Sequence, residues 1–451
     1  MGLQAFAVCV VAGVVTGALA LGCGSSKSAG DDPGDDSEDA SSDAGSSGGD
    51  SGTAAGEGGL GDAALGADAY PAFTPEMPQV ETQKGPVLPT PKIVTVTFAG
   101  DPQATAIDAF DDALGASSYW KVLEEYGVGP TTSVAADHVV VQTPLTTGID
   151  TDDIDTWVQS QITGAPGDGW PVPDTSTIYV VYVPTTVMPT YQGADACEGG
   201  DGYHYELDSP TNANGVSYAQ ILEGCYLDDE LPLLTDLFET ASHEIAEGST
   251  DPYPNNAPAY YGFDTNHISW ELWNDWQDEL ADACEYFDEG YFQGGSDLPY
   301  WLSRLWSNES AKAGHDPCVP VPSGVYNSVS PLGLANVSVS ALDANGGVSK
   351  FNTKGWRIGV GDTATVQVGF WSDGPEDAWS VTAVEGDCCT YPWTDVLTVT
   401  PKTFSGKNGD TVSLKIKVNK APAQGTAALL QFVSAAGGNI SHYMPVIVGA
   451  Y

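Results

Sequence analysis

The hydrophobic period of the chain changes once, near Tyr326, and that change limits the folds open to it. Upstream, β-branched runs alternate with stretches of helical spacing. Lys92-Ile93-Val94-Thr95-Val96-Thr97-Phe98, His138-Val139-Val140-Val141, Ile178-Tyr179-Val180-Val181-Tyr182-Val183 and Val216-Ser217-Tyr218-Ala219-Gln220-Ile221 read as strands. Residues 104–126, with Ile107, Phe110, Ala113 and Leu114 at helical spacing, and residues 231–248 read as helices. Strands mixed with long helices predict an α+β domain over 89–324. Downstream, Val337-Ser338-Val339-Ser340, Ala364-Thr365-Val366-Gln367-Val368, Val396-Leu397-Thr398-Val399, residues 412–418 and residues 428–432 are short strands, most of them alternating. Turns such as Asn345-Gly346-Gly347 and Asn408-Gly409 separate them. This texture predicts an all-β, immunoglobulin-like sandwich over 325–451. No catalytic pattern occurs in it; Trp371, Trp379 and Trp393 read as core, with glycan contact as the alternative.

The first 88 residues lack both periods. Residues 3–22 are almost wholly apolar and end in Leu19-Ala20-Leu21-Gly22-Cys23. Small residues before a cysteine resemble a bacterial lipobox, so 1–22 read as a lipoprotein-type signal peptide and Cys23 as the lipidation site. An uncleaved anchor and a plain secretory signal are the alternatives: the n-region has no Lys or Arg, and Ala20 stands three before the cysteine where Leu is usual. Residues 23–88 are rich in Gly, Ser, Ala and Asp and read as a disordered tether. Each reading makes the protein extracytoplasmic, lipid-anchored at a bacterial outer membrane or secreted, with membrane contact only through that segment.

Charge sharpens the picture. The chain carries 61 acidic and 14 basic residues, a formal net charge of -47. That balance excludes a nucleic-acid partner, whose phosphates need Lys and Arg, and docking on anionic lipid. Most of the excess, 39 acids against 4 bases, falls in 89–324, whereas 325–451 is nearly neutral. Beyond Cys9 and Cys23, six cysteines remain: Cys197, Cys225, Cys284, Cys318, Cys388 and Cys389. An even number outside the cytoplasm predicts disulfides, here Cys197–Cys225, Cys284–Cys318 and a vicinal Cys388–Cys389, on the weak guide of sequence order.

One segment of the acidic domain carries a chemical pattern, Ser242-His243-Glu244-Ile245-Ala246-Glu247. Residues four apart share a helix face, so His243 and Glu247 can grip one metal ion together. Glu244 projects beside them, where it can take a proton from an attacking water. The pattern is HExxH with the second His replaced by Glu, which zinc tolerates. By helical wheel, Leu234, Leu237, Phe238, Ala241 and Ile245 form the buried stripe, with His243 and Glu247 opposite. A solvent-exposed His/Glu pair is the plain alternative. A third ligand is required, and residues 270–287 read as a further acidic helix on which Glu279 and Asp282 share a face. The spacing resembles that of gluzincin-type proteases, a likeness that implies Glu279 as the third ligand and Asp282 as the residue orienting a ligand histidine, with Asp251 as the rival ligand. His204, between Tyr203 and Tyr205, reads as structural, with approach to the site as the alternative. Calcium is the alternative cation, given the density of carboxylates and the acidic run Asp228-Asp229-Glu230, although no EF-hand pattern occurs. No GxSxG elbow or phosphate loop is present.

The run Ser242 to Glu247 with Thr250-Asp251-Pro252, followed by Glu279, Asp282 and Cys284, resembles the EXORDIUM / phosphate-induced protein 1 family and related bacterial secreted HExxE metalloproteases. Residues 93–98 with Trp120 and Tyr126, Gly202-Tyr203-His204 near Cys197, and Cys225 before the motif extend the likeness over about 89–320. Gly248 and a long insertion between Pro252 and Glu279 depart from it. The resemblance implies a zincin-like domain and a cell-surface zinc-dependent hydrolase, most simply a peptidase acting on peptide or protein. The alternative is a non-catalytic binding protein of the cell surface or cell wall, its partner a cell-surface polymer.

Overall fold

The computed structural model describes residues 68–450 except 135–136, 164–169, 227–231, 275, 277–278, 343–346, 387–394, 423–426 and 436–439. The signal segment, Cys23, the run 228–230, Trp393 and the Cys388–Cys389 pair therefore lie outside the described residues. Among those described, strand outweighs helix, and no helix is long and apolar enough to cross a membrane.

The acidic half is built on a five-stranded sheet. Its strands are β1 (Lys92–Phe98), β2 (Val139–Val141), β3 (Thr177–Val183), β4 (Gly202–Leu207) and β5 (Val216–Leu222). They lie in the order β2-β1-β3-β5-β4, all parallel except the last pair, β5 with β4. Strands buried on both faces read as continuous apolar runs, as Thr177–Val183 does. Alternate side chains then separate by face. Ile178, Val180 and Tyr182 join Ile107, Phe110 and Leu114 of α1 (Ala104–Leu114), while Tyr179, Val181 and Val183 join Ile154, Val158 and Ile162 of α2 (Thr151–Thr163). The helix α3 (Leu233–Thr250) lies on the α1 side. The result is a three-layer arrangement with the motif helix against the sheet.

Three expectations need correction. The helix expected over 104–126 ends at Leu114 and resumes as a 3-10 turn at Tyr119–Tyr126. At the break, a Cβ on Gly115 would stand 1.7 Å from Thr131 Oγ1, so the chain turns where only glycine fits. The helix expected over 270–287 is two short ones, α4 (Ile268–Trp273) and α5 (Asp282–Glu285). Trp276 has φ 65°, outside the helical region, and the Asn274 side chain donates to Asp282 O at 3.1 Å across the turn. Finally, the tether does not extend to residue 88. Phe73, Met77, Val80 and Leu88 are buried, and Val80–Thr82 pairs antiparallel with Tyr260–Phe263. Their apolar side chains gain more from burial than a polar tether could.

From Asn327 the chain forms two sheets. The four-stranded sheet comprises β6 (Asn327–Leu332), β9 (Thr363–Ser372), β11 (Leu397–Thr400) and β13 (Thr411–Val418), ordered β6-β9-β13-β11. The six-stranded sheet comprises β7 (Ala335–Leu342), β8 (Val348–Ile358), β10 (Trp379–Glu385), β12 (Thr403–Gly406), β14 (Ala427–Ala435) and β15 (Ser441–Ala450), ordered β7-β8-β15-β14-β10-β12. Phe370 of one sheet packs on Trp379 and Phe404 of the other, so the sheets face each other across an aromatic core. This is a sandwich of immunoglobulin-like type. Trp371 and Trp379 are buried in it. The sandwich joins the acidic half through Thr353 Oγ1 to Asn266 O at 3.0 Å, Tyr443 OH to Asp288 Oδ1 at 3.0 Å, and a tilted contact of Trp273 with Tyr443.

One buried carboxyl beneath the sheet titrates far from its usual range. Asp111 is fully buried and accepts hydrogen bonds from Thr95 Oγ1 at 2.6 Å and Tyr182 OH at 2.8 Å. Burial raises its pKa to about 7, against the lowering pull of those hydrogen bonds. The unfolded carboxyl titrates near 3.9, so the folded state holds the extra proton between these values. The contribution is therefore fully present below about pH 4 and is lost as pH rises through about 7. Asp111→Asn, which stays neutral, should unfold in urea with a flatter pH dependence. It should gain on the native protein between pH 5 and pH 8; an unchanged difference between the two would refute the assignment.

Candidate metal centre

The motif residues sit in the second half of α3, where the helix is covered on both faces. Leu237, Phe238, Ala241 and Ile245 enter the core as expected, but the opposite face is not open to solvent. Ser303 N donates to Ser242 Oγ at 2.9 Å, and the segment from Glu279 to Asp282 lies across Glu247. Glu247 is 2% exposed and Glu244 is 5% exposed. Glu247 Oε1 accepts the backbone N–H groups of Ala281 at 2.8 Å and Asp282 at 3.1 Å. Its other oxygen, Oε2, lies 3.0 Å from His243 Nε2, the i, i+4 pairing expected on one helix face.

The sheet supplies a residue expected to be structural. His204 of β4 faces α3, with Nδ1 3.3 Å from Glu244 Oε2 and 3.7 Å from Glu247 Oε2, and Nε2 3.3 Å from Glu279 Oε2. Two glycines permit this approach. A Cβ on Gly202 would come within 2.6 Å of Thr240 Cγ2, and one on Gly248 within 2.8 Å of Ile178 Cδ1. Gly248, which departs from the family pattern, is thus the residue over which the sheet closes. The available signal for His204 was period two: Gly202, His204 and Glu206 share one face of β4, while Tyr203 and Tyr205 turn toward α2, where Tyr203 OH donates to Asp155 at 2.9 Å.

Among the described residues, side-chain donors within 4.8 Å of one another form two trios, His243–Glu247–Asp282 and His204–Glu247–Glu279. The expected ligands His243, Glu247 and Glu279 are thus divided between trios that share Glu247. Asp282 Oδ1 is 3.2 Å from His243 Nε2. Asp251, the expected rival, lies beside Glu279 at the end of α3 and accepts from Ala259 N at 2.6 Å. Because Asn274, Trp276 and residues 279–281 are not helical, Glu279 and Asp282 do not stack on one helix face, and they fall in different trios around Glu247.

The electrostatics are those of a buried anionic nest. Burial raises Glu244, and it raises Asp251 and Asp282 to about 6. Burial alone would depress His243, but Glu247 and Asp282 outweigh it and hold the imidazole well above its usual value. His204 is raised too, its Glu244 neighbour overcoming burial. Glu247 is the exception: burial is outweighed by the two histidines, and its pKa falls to about 2. Such a nest demands positive charge. His204 Nε2 and Asp282 Oδ1 are buried, each facing one charged partner, Glu279 and His243 respectively. Imidazole and carboxylate donors of this kind fit zinc.

Two disulfides frame the centre, as expected from the sequence. Cys197–Cys225 ties the segment before β4 to that after β5, and Cys284–Cys318 anchors α5. They fit an extracytoplasmic protein. Of the remaining histidines, His138 pairs with Asp108 and Asp112, His267 with Asp264, and His315 with Asp373, while His442 contacts Asn327 O. Gly202→Ala should force β4 away from α3 and cost about 1–3 kcal/mol. Chemical denaturation checks this, and a variant as stable as the native chain would mean that the strand can shift freely.

No family model and no curated protein matches the chain. Among solved structures, a C. elegans MSP family member, WR4, is 10% identical over 22% of this chain and 91% of its own, with a TM-score of 0.17. The class 5 fimbriae chaperone CfaA is 13% identical over 21% of this chain and 51% of its own, with a TM-score of 0.16. A nucleoside hydrolase-related hypothetical protein from Saccharophagus degradans is 10% identical over 80% of this chain and 100% of its own, with a TM-score of 0.23. Likenesses of this size carry no argument about fold or function.

Proposed function

We propose that the chain is a zinc-dependent hydrolase of the HExxE type, anchored at the cell surface through Cys23 and acting on peptide bonds. The observation that carries this reading is the gathering of His204, His243, Glu279 and Asp282 around the buried Glu247. In this proposal His243 and Glu247 hold the ion, with Glu279 and Asp282 as the further carboxylates. Zinc bound there would supply Lewis acidity toward the scissile carbonyl. Glu244 accepts the proton of the attacking water and returns it to the leaving amine. Burial raises its pKa, which makes it a stronger base than a solvated carboxylate. His204, 3.3 Å away, orients that carboxylate. Support for a zincin-like domain comes from the motif helix packed along a mixed sheet whose β4 edge is antiparallel.

One observation favours a second reading, a non-catalytic surface binding protein that keeps the centre: Glu244 is only 5% exposed. Metal analysis of the purified protein with a peptide-hydrolysis assay separates the two. The enzyme reading expects retained zinc, and Glu244→Gln that keeps the zinc but loses roughly 100-fold or more in rate. Zinc without hydrolysis by the native protein selects the binding reading, and protein that takes up no zinc ends both metal-based accounts.

A further inference from the structure

We propose that the centre is built for two divalent cations bridged by Glu247, one held by His243 and Asp282 and the other by His204 and Glu279. This deepens the metal-centre reading above and rests on it. A single zinc would need three protein donors around one point. The described residues instead present two complete sets of three, sharing one carboxylate. Donors bound about 2.0–2.2 Å from a common ion stand roughly 3–3.5 Å apart. In the first set, His243 Nε2 is 3.0 Å from Glu247 Oε2 and 3.2 Å from Asp282 Oδ1. In the second, His204 Nε2 is 3.3 Å from Glu279 Oε2. Each set also contains a buried atom, Asp282 Oδ1 in one and His204 Nε2 in the other, whose close polar neighbour is a fellow member of the set.

The division of labour on Glu247 and His204 fits the same reading. Glu247 Oε1 is saturated by two backbone N–H donors, which leaves Oε2 as the oxygen between the two histidines. His204 turns Nδ1 toward Glu244 at 3.3 Å and Nε2 toward Glu279. A metal-bound histidine commonly donates its second N–H to a carboxylate in this way. Charge points in the same direction. Glu244, Glu247, Asp251, Glu279 and Asp282 are all buried around two histidines. When ionised these five carboxylates leave a formal excess of three negative charges over one dication, and of one over two dications.

The test is metal stoichiometry of the full chain, by equilibrium dialysis against Zn²⁺ followed by elemental analysis. The expected result is two equivalents in the native protein. His204→Ala and Asp282→Asn should each bind one, and Glu247→Gln should lose both because it removes the bridge. Loading with Mn²⁺ gives a readout on the native protein alone: two ions sharing one carboxylate should couple magnetically and broaden the paramagnetic resonance signal. A native protein that binds one equivalent of Zn²⁺, with an uncoupled Mn²⁺ spectrum, overturns this proposal while leaving the single-zinc reading intact. Binding of no metal overturns both.

Discussion

Everything about the centre depends on one carboxylate, Glu247, and on the two backbone N–H groups that hold it. A carboxylate with almost no exposure is costly unless hydrogen-bonded and faced by positive charge. Ala281 and Asp282 provide the donors and His243 the charge. The same contact works in reverse. It fixes a non-helical segment, 279–281, across a helix more than thirty residues earlier, and so decides where Glu279 and Asp282 can reach. Trp306 N donating to Leu280 O at 2.7 Å and the Cys284–Cys318 disulfide hold that segment from its other side.

The second constraint is steric. Strand β4 must lie close enough to α3 for His204 to meet Glu244, and two positions on the contact tolerate no side chain. Gly202 clears Thr240 and Glu244; Gly248 clears Ile178 and Ser217, whose hydroxyl donates to Gly248 O at 2.7 Å. Glycine inside a helix ordinarily weakens it by up to about 1 kcal/mol. Here that loss is offset by the packing that glycine permits, which is why a helix of otherwise ordinary composition carries one just past its motif.

The acidity of the larger domain is less extreme inside the fold than its formal count suggests. Burial lifts Glu223 to about 9, Glu239 to about 8 and Asp111 to about 7. Glu223 and Glu239 keep their protons at neutral pH and Asp111 titrates there, so a share of the acids is neutral in the folded state. Outside the buried nest around Glu247, exposed acids such as Asp152, Asp153 and Asp208 carry surface charge that favours solubility. The sandwich contributes little charge and contacts the acidic half through polar groups and the Trp273–Tyr443 pair rather than through the metal centre.

Local pattern alone carried much of this. Period two and period 3.6 located the strands, the motif helix and the change to a sandwich, because both record which face of an element is buried. The i, i+4 spacing placed His243 beside Glu247 for the same reason, and cysteine order agreed with both described disulfides. Contacts between distant segments had no such signature. His204 joins the centre through the antiparallel edge of a sheet, forty residues before Glu244, and nothing in the run Tyr203-His204-Tyr205 states which helix will lie over it. The acidic stretch after Trp270 has helical composition, yet a positive φ at Trp276 and the pull of Glu247 on two backbone N–H groups break it. The sequence by itself determined the elements and the chemistry of the motif. Only the tertiary structure decided which carboxylates and which second histidine complete it, because side-chain convergence is set by packing between elements and not by spacing along the chain.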